Sequence, residues 1–287
     1  MAKIDWAYVQ AASDEILCDG FEALKARPYL KAAAAQDEAP CNYLISLGGE
    51  GRYVGEGQNA QARLRQQFRE GSSTFYKSYL KKAEGREHAA ISDFDVQVMT
   101  TRLGRKEMEE FGIVHLVDRL NKLQLDKRVK RRAGERPQPE NRGLWDIAQA
   151  QHERLLAEGA EAAMAAAPAG WFDCTPPVGP GLYLVKHQGQ LIYVGESSDL
   201  AHRHETHSED TYFSALRRHI GTELLSCELQ EVGGRRRYFT DDQDWKVTRF
   251  LTDCEAVFLP VMFGRYELED RLIKALNPVL NRKGVLA

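Results

Sequence analysis

The side chains best suited to chemistry in this chain of 287 residues lie in its second half. Tyr183 and Tyr193 fall in two short apolar runs, residues 181–186 and 190–194, around the turn His187-Gln188-Gly189. That pattern reads as a β-hairpin with the two tyrosines on adjacent strands. Arg203 and His207 are four apart on the following helix and share a face. The first is a permanent cation, and the second titrates near neutrality. Glu269 has Leu272, Ile273 and Leu276 at i+3, i+4 and i+7, so it points with the apolar face of the last helix. Glu267, Asp270, Arg271 and Lys274 take the polar face. A carboxylate on a buried face is costly unless it is paired or bound to a metal. Alone, each residue reads blandly: a hairpin tyrosine is usually a half-buried strand residue, and a helical arginine or histidine usually surface. His202, His204, His219 and Cys227 are read as structural.

The elements that must hold these groups occur twice. Positions 43–64 match 183–204 without gaps at eight places, including Tyr43, Tyr53-Val54-Gly55-Glu56 and Arg63. Downstream, Leu103-Gly104-Arg105 aligns with Phe263-Gly264-Arg265, Glu109 with Glu269, and Leu120-Asn121 with Leu280-Asn281. The offset grows from 140 to 160, so the second copy holds about 20 more residues, centred on a loop at 231–244. In the first copy Glu109 lies in line with Ile113, Leu116 and Leu120. Each copy is expected to run hairpin, helix, later strand (94–101 or 256–261) and closing helix (105–120 or 265–276). Asn59 and one of Ser197, Ser198 or Asp199 are the candidate helix caps. The expected fold class is α/β (α+β): two tandem small modules, each a short antiparallel sheet flanked by helices. The expected segments are 1–37, helical (7–20 and 21–35); 38–125, module 1; 126–177, a basic stretch and helical connector; and 178–287, module 2.

Composition sets the limits. Hydrophobic residues make up 43% and charged residues 28%, enough apolar material for a core, which excludes disorder throughout. No apolar stretch approaches the length of a membrane span. The chain opens without the apolar run of a secretory signal. The five cysteines are widely spaced with no CxxC, which argues against a disulfide framework or structural zinc. A cytoplasmic protein is expected. The net charge of −3 hides an asymmetry: seven Lys/Arg against two acids between Lys122 and Arg136 give that window +5 and the remainder −8. Such a window fits a polyanion-binding patch or a solvated linker.

The two copies resemble the GIY-YIG nuclease superfamily. Gly181-Leu182-Tyr183 and Tyr193-Val194-Gly195 fit its two tripeptides, and Arg203 with His207 fits its helix pair. Leu268-Glu269, Leu272-Ile273-Lys274 and Pro278-Val279-Leu280-Asn281 fit its closing motif. Copy one departs from the pattern: Cys41-Asn42-Tyr43 loses the first glycine, and Gln67 stands where copy two has His207. It keeps Tyr43, Tyr53, Arg63, Glu109 and Asn121, a possible second site. The resemblance implies one-metal phosphodiester hydrolysis, with Mg2+ (or Mn2+), one ion per active site, held by Glu269 and, in copy one, by Glu109. It implies Arg203 on a non-bridging phosphate oxygen, Tyr183 as base with Tyr193 and His207 in support, and Asn281 hydrogen-bonding within the site.

The expected function is a metal-dependent DNA endonuclease, double-stranded DNA being the preferred substrate and restriction or anti-phage defence the role reached by elimination. The other class is a nucleic-acid-binding protein with one or both nuclease sites inactive; cleavage by pure protein separates the two. If the basic window binds phosphate, changing Lys127, Arg128, Lys130, Arg131 and Arg132 to glutamine will weaken binding of all DNA sequences alike. The slope of log K against log salt will flatten by about one unit per lost contact.

Overall fold

The computed structural model describes residues 3–84, 86–117, 119–121 and 143–281, and both expected hairpins lie within them. The basic window at 122–136, with Lys127, Arg128, Lys130, Arg131 and Arg132, lies outside the described residues. The chain divides into two units, Met1–Leu155 and Leu156–Ala287. Both are mixed α and β with antiparallel sheets, the expected α+β class. Among the described residues no helix is long and apolar enough to cross a membrane.

The first unit runs α1 (Trp6–Ala11), α2 (Ser13–Lys25), β1 (Cys41–Leu47), β2 (Glu50–Gly57), α3 (Ala60–Gln67), α4 (Thr74–Lys82), β3 (Asp95–Thr100), α5 (Arg105–His115) and α6 (Leu144–Ala150). Its sheet order is β2-β1-β3. Helix α7 (His152–Ala165) contains the unit boundary. The second unit continues with β4 (Ala169–Gly170), β5 (Gly181–His187), β6 (Gln190–Ser197), α8 (Leu200–Glu209) and α9 (Ala215–His219), which runs into a π-helical turn, Ile220–Leu224. Then come β7 (Gln230–Val232), β8 (Arg235–Tyr238), α10 (Asp241–Thr252), β9 (Cys254–Pro260) and α11 (Arg265–Leu276). Its main sheet has the order β4-β9-β5-β6, and β7 and β8 form a separate hairpin.

The two units repeat the same register. Tyr43 faces Gly55 and Val98, and Tyr183 faces Gly195 and Phe258. The bulge between Ile45 and Ser46 recurs between Val185 and Lys186. Leu30 bridges Val96 much as Ala169 pairs with Ala256, so the stretch before β1 does have a counterpart in the second unit. Asn59 caps α3 by accepting from the Ala62 N–H at 2.8 Å, and Asp199 caps α8 by accepting from His202 at 3.3 Å. Gly104 and Gly264 open α5 and α11 at φ 81° and 84°, a conformation that favours glycine and accounts for the repeated Gly-Arg.

Three expectations need correction. The helix expected over 105–120 ends at His115, because the chain turns extended at Leu116 and runs beside β2, where the Leu120 N–H donates to Arg52 O at 2.6 Å. The helix expected over 21–35 ends at Lys25. Pro28 lacks an N–H and disfavours helical geometry at Arg27, and Leu30 then pairs with β3. The connector is not a single helix. Gln151 separates α6 from α7, and α6 joins the first unit, where Asp19 accepts from the Gly143 and Trp145 N–H groups, each at 2.9 Å.

Gly195 makes room for Tyr183. A Cβ at residue 195 would lie 2.4 Å from the tyrosine ring and hydroxyl, and one at Gly55 would lie 2.3 Å from Tyr43. The second tripeptide's glycine is therefore the seat of the first tripeptide's tyrosine. Gly195→Ala is expected to lower unfolding free energy by about 1–3 kcal/mol in urea denaturation, the usual cost of overpacking.

Candidate active site

In the second unit β5 carries Tyr183 and β6 carries Tyr193, and their rings stack at 5.9 Å between centroids. Tyr183 is 3% exposed. Its hydroxyl is hydrogen-bonded to His207 Nε2 at 2.8 Å, and His207 Nδ1 lies 2.7 Å from Ser214 Oγ. Ser214 is the N-cap of α9 and accepts from the Arg217 N–H at 2.9 Å. Burial holds the Tyr183 hydroxyl well above its ordinary pKa, with the charges of Tyr193 and Glu269 adding and that of Arg203 opposing. Burial likewise holds His207 well below 6.5, and the charge of Arg203 is the next largest cause. Both shifts keep the pair neutral: the proton stays on Tyr183 and the imidazole keeps a lone pair. Tyr193 is also raised, by burial first and Glu269 next, with Arg203 and Arg218 opposing.

Arg203 is half-buried one helical turn before His207, and its charge reaches Tyr183, Tyr193 and His207. Among the described residues its guanidinium has no hydrogen-bond or ion-pair partner. A half-buried cation beside neutral groups is suited to an anionic ligand. Glu269 is 7% exposed, as its place in the apolar stripe implied, and its Oε1 accepts from the Glu196 N–H at 3.1 Å. The Glu196 side chain turns away to Arg265, with Oε2 at 2.9 Å from Nε. Among the described residues no group of three or more His, Cys, Asp or Glu is arranged to hold a metal ion. The donor set is then one hard carboxylate. That fits Mg2+ or Mn2+, which retain waters and take phosphate oxygens, rather than an ion that needs a protein cage.

Asn281 stands apart from this cluster. Its amide accepts from the Val194 N–H at 2.8 Å and donates to Val194 O at 2.7 Å, so both ends are used on the backbone of β6. It ties down the strand that carries Tyr193. Two further groups were missed in the sequence. Ser214 orients His207. Arg217, fully buried, donates to Ser208 O at 2.8 Å, His207 O at 3.4 Å and Asp244 O at 3.0 Å, and pairs with Asp244 Oδ1 at 3.0 Å. It fixes the end of α8 that bears the histidine. No repeat or periodicity pointed to either. The Glu196–Arg265 pair did have a signal, since Glu56 and Arg105 recur in the first copy at 3.1 Å.

The first unit brings Tyr43, Tyr53, Arg63 and Glu109 within electrostatic reach of one another. Its tyrosines stack at 6.3 Å. Asn121 repeats the clamp on Val54 at 3.1 and 2.7 Å. In place of His207 this unit has Gln67. Gln67 Oε1 accepts from the Thr74 N–H and hydroxyl at 3.3 and 3.1 Å, and the buried Tyr43 hydroxyl has Arg63 and Tyr53 as its neighbours where Tyr183 has His207. Arg63 spends Nη1 on Gln66 at 2.8 Å. Glu109 is half-buried, while Glu107 is the fully buried carboxylate of α5.

The second unit thus brings together a tyrosine seated on a glycine, an arginine one turn from a histidine and an inward glutamate. Residues 182–285 match the GIY-YIG catalytic domain, so the second unit carries one domain of this nuclease type. No curated protein and no solved structure matches the chain.

The neutral state of His207 has a consequence for pH. Below pH 6.5 the unfolded chain takes up a proton that the folded chain refuses, so native stability falls as pH falls. Denaturation of His207→Gln, which lacks this contribution, is expected to change less between pH 7 and pH 5 than that of the parent, by up to about 2 kcal/mol.

Proposed function

We propose that this protein is a divalent-metal-dependent endonuclease that hydrolyses DNA phosphodiester bonds in its second unit. The observation that carries this reading is the buried hydrogen bond between Tyr183 and a histidine held neutral, beside an arginine whose guanidinium has no hydrogen-bond or ion-pair partner among the described residues. Tyr183 accepts the proton of the attacking water while passing its own to His207 Nε2. His207 Nδ1–H donates to Ser214 Oγ throughout. The relay avoids an isolated tyrosinate in a dry site, where its charge would be expensive. Arg203 offers its fork of donors to the non-bridging oxygens. A phosphate there also offsets the very charge that depresses His207, so the arrival of substrate strengthens the base. Glu269 holds the cation. Bound Mg2+ or Mn2+ supplies electrostatic stabilisation of charge on the phosphate and the leaving oxygen.

The first unit is, in this reading, a divergent module of the same kind that grips DNA without cutting it. Gln67, turned to Thr74 where the second unit has a histidine on its tyrosine, favours that division over two cutting sites. A role in restricting foreign DNA is the extension of this reading to biology.

Supercoiled plasmid in Mg2+ tests both parts. Glu269→Ala is expected to remove nicking and linearisation together, by at least about a hundredfold. Glu109→Ala is expected to leave nicking in place. If each single variant still nicks one strand and only the double variant is dead, the first unit is catalytic and the division of labour is wrong. If the unaltered protein cuts nothing in Mg2+ or Mn2+, the binding-protein reading replaces this one.

A further inference from the structure

The first unit passes from α4 to β3 within residues 83–94, whereas the second spends residues 225–253 between its π-helical turn and β9 and builds β7, β8 and α10 there. The hairpin turns on Gly233-Gly234, both at positive φ, and its second strand is Arg235-Arg236-Arg237-Tyr238, exposed along its whole length. It adds nothing to the main sheet. Arg236 faces Glu231 across the hairpin, which offsets its charge. The other two arginines collect on Tyr212. Arg235 Nη1 donates to the Tyr212 hydroxyl, and the Arg237 guanidinium lies 5.5 Å from the centre of the Tyr212 ring. Tyr238 packs on the same ring at 5.1 Å, and Phe213, 64% exposed, meets it edge-on at 4.6 Å.

Arg218 lies beside the same residue and donates to Thr211 O and Tyr212 O at 2.9 and 2.5 Å. Burial and the nearby charge of Arg237 lower its pKa, and only Asp210 among the carboxylates is close enough to oppose them. Among the described residues none of Arg218, Arg235 and Arg237 has a carboxylate at ion-pair distance. Three cations fixed around one aromatic ring repel one another, a cost that a polyanion would relieve. The cluster is continuous with the site described above, since the charge of Arg218 reaches Tyr193. Arginines interleaved with exposed aromatics make a surface suited to nucleic acid.

We propose that the β7–β8 hairpin, with Arg235 and Arg237 set on Tyr212 and Arg218 beside them, is a DNA-backbone clamp that engages phosphates flanking the one to be cut. This rests on the endonuclease reading. The test uses the full chain carrying Glu269→Gln, so that DNA stays intact, and measures anisotropy of a labelled duplex over a range of KCl. Adding Arg235→Gln and Arg237→Gln is expected to weaken binding about tenfold at fixed salt and to lower the slope of log K against log [KCl] by about two units. Arg235→Lys with Arg237→Lys is expected to restore the slope, because the slope counts charges. An unchanged slope in the glutamine variant overturns the clamp. If the chain with Glu269 intact cuts plasmid in that case, the endonuclease reading survives without it. If that chain neither binds nor cuts DNA, the endonuclease reading fails and the clamp falls with it.

Discussion

The second unit is organised around one buried hydrogen bond, that between Tyr183 and His207. In water the hydroxyl would be solvated and the imidazole partly charged. Buried, both are held neutral, because burial raises the pKa of the hydroxyl and lowers that of the imidazole. Much of the unit serves that condition. Gly195 gives the ring its seat, Ser214 fixes the other imidazole nitrogen, and Arg217 ties the last carbonyls of α8 to α10. Asn281 clamps β6 from behind. Arg203 and Glu269 bring the charges to this neutral centre.

The two units show what one substitution does to such a centre. The hairpin, its bulge, the stacked tyrosines, the asparagine clamp and the buried serine cap all recur, as Ser73 on α4 and Ser214 on α9. The group at the histidine's place differs in kind: Gln67 in the first unit, His207 in the second. A glutamine cannot take a proton at neutral pH, and Gln67 turns to Thr74 and not to Tyr43. The scaffold tolerates this because its stability comes from strand register and apolar packing, neither of which needs the histidine.

Much of this was legible in the residues. Apolar alternation marked the hairpins, and the i+3, i+4, i+7 neighbours of Glu269 showed that it points inward. The rule of four residues put His207 on the face of Arg203. What the sequence hid lies where contact is made between distant segments. The partners of Ser214 and Arg217 come from α8 and α10, which no local pattern connects. The backbone that Asn281 holds lies 87 residues away from it. Leu276 belonged to the apolar stripe by spacing but is 39% exposed, because α11 ends there and Asn277 turns left-handed. The β7–β8 hairpin read as a loop, since a run of arginines after Gly-Gly lacks the alternation of a buried strand.

The independence of that hairpin from the main sheet has one more consequence. Its arginines are exposed on a short two-stranded ribbon beyond a glycine turn, the kind of backbone that opens locally at little cost. Trypsin would find its cleavage sites there before it found them in the sheet. A cut at Arg236 would leave β5, β6 and β9 hydrogen-bonded as before, with the two fragments held by the core they share. The nicked protein would keep the assembled tyrosine–histidine pair on one fragment and the inward glutamate on the other, a split enzyme produced by a single peptide-bond scission.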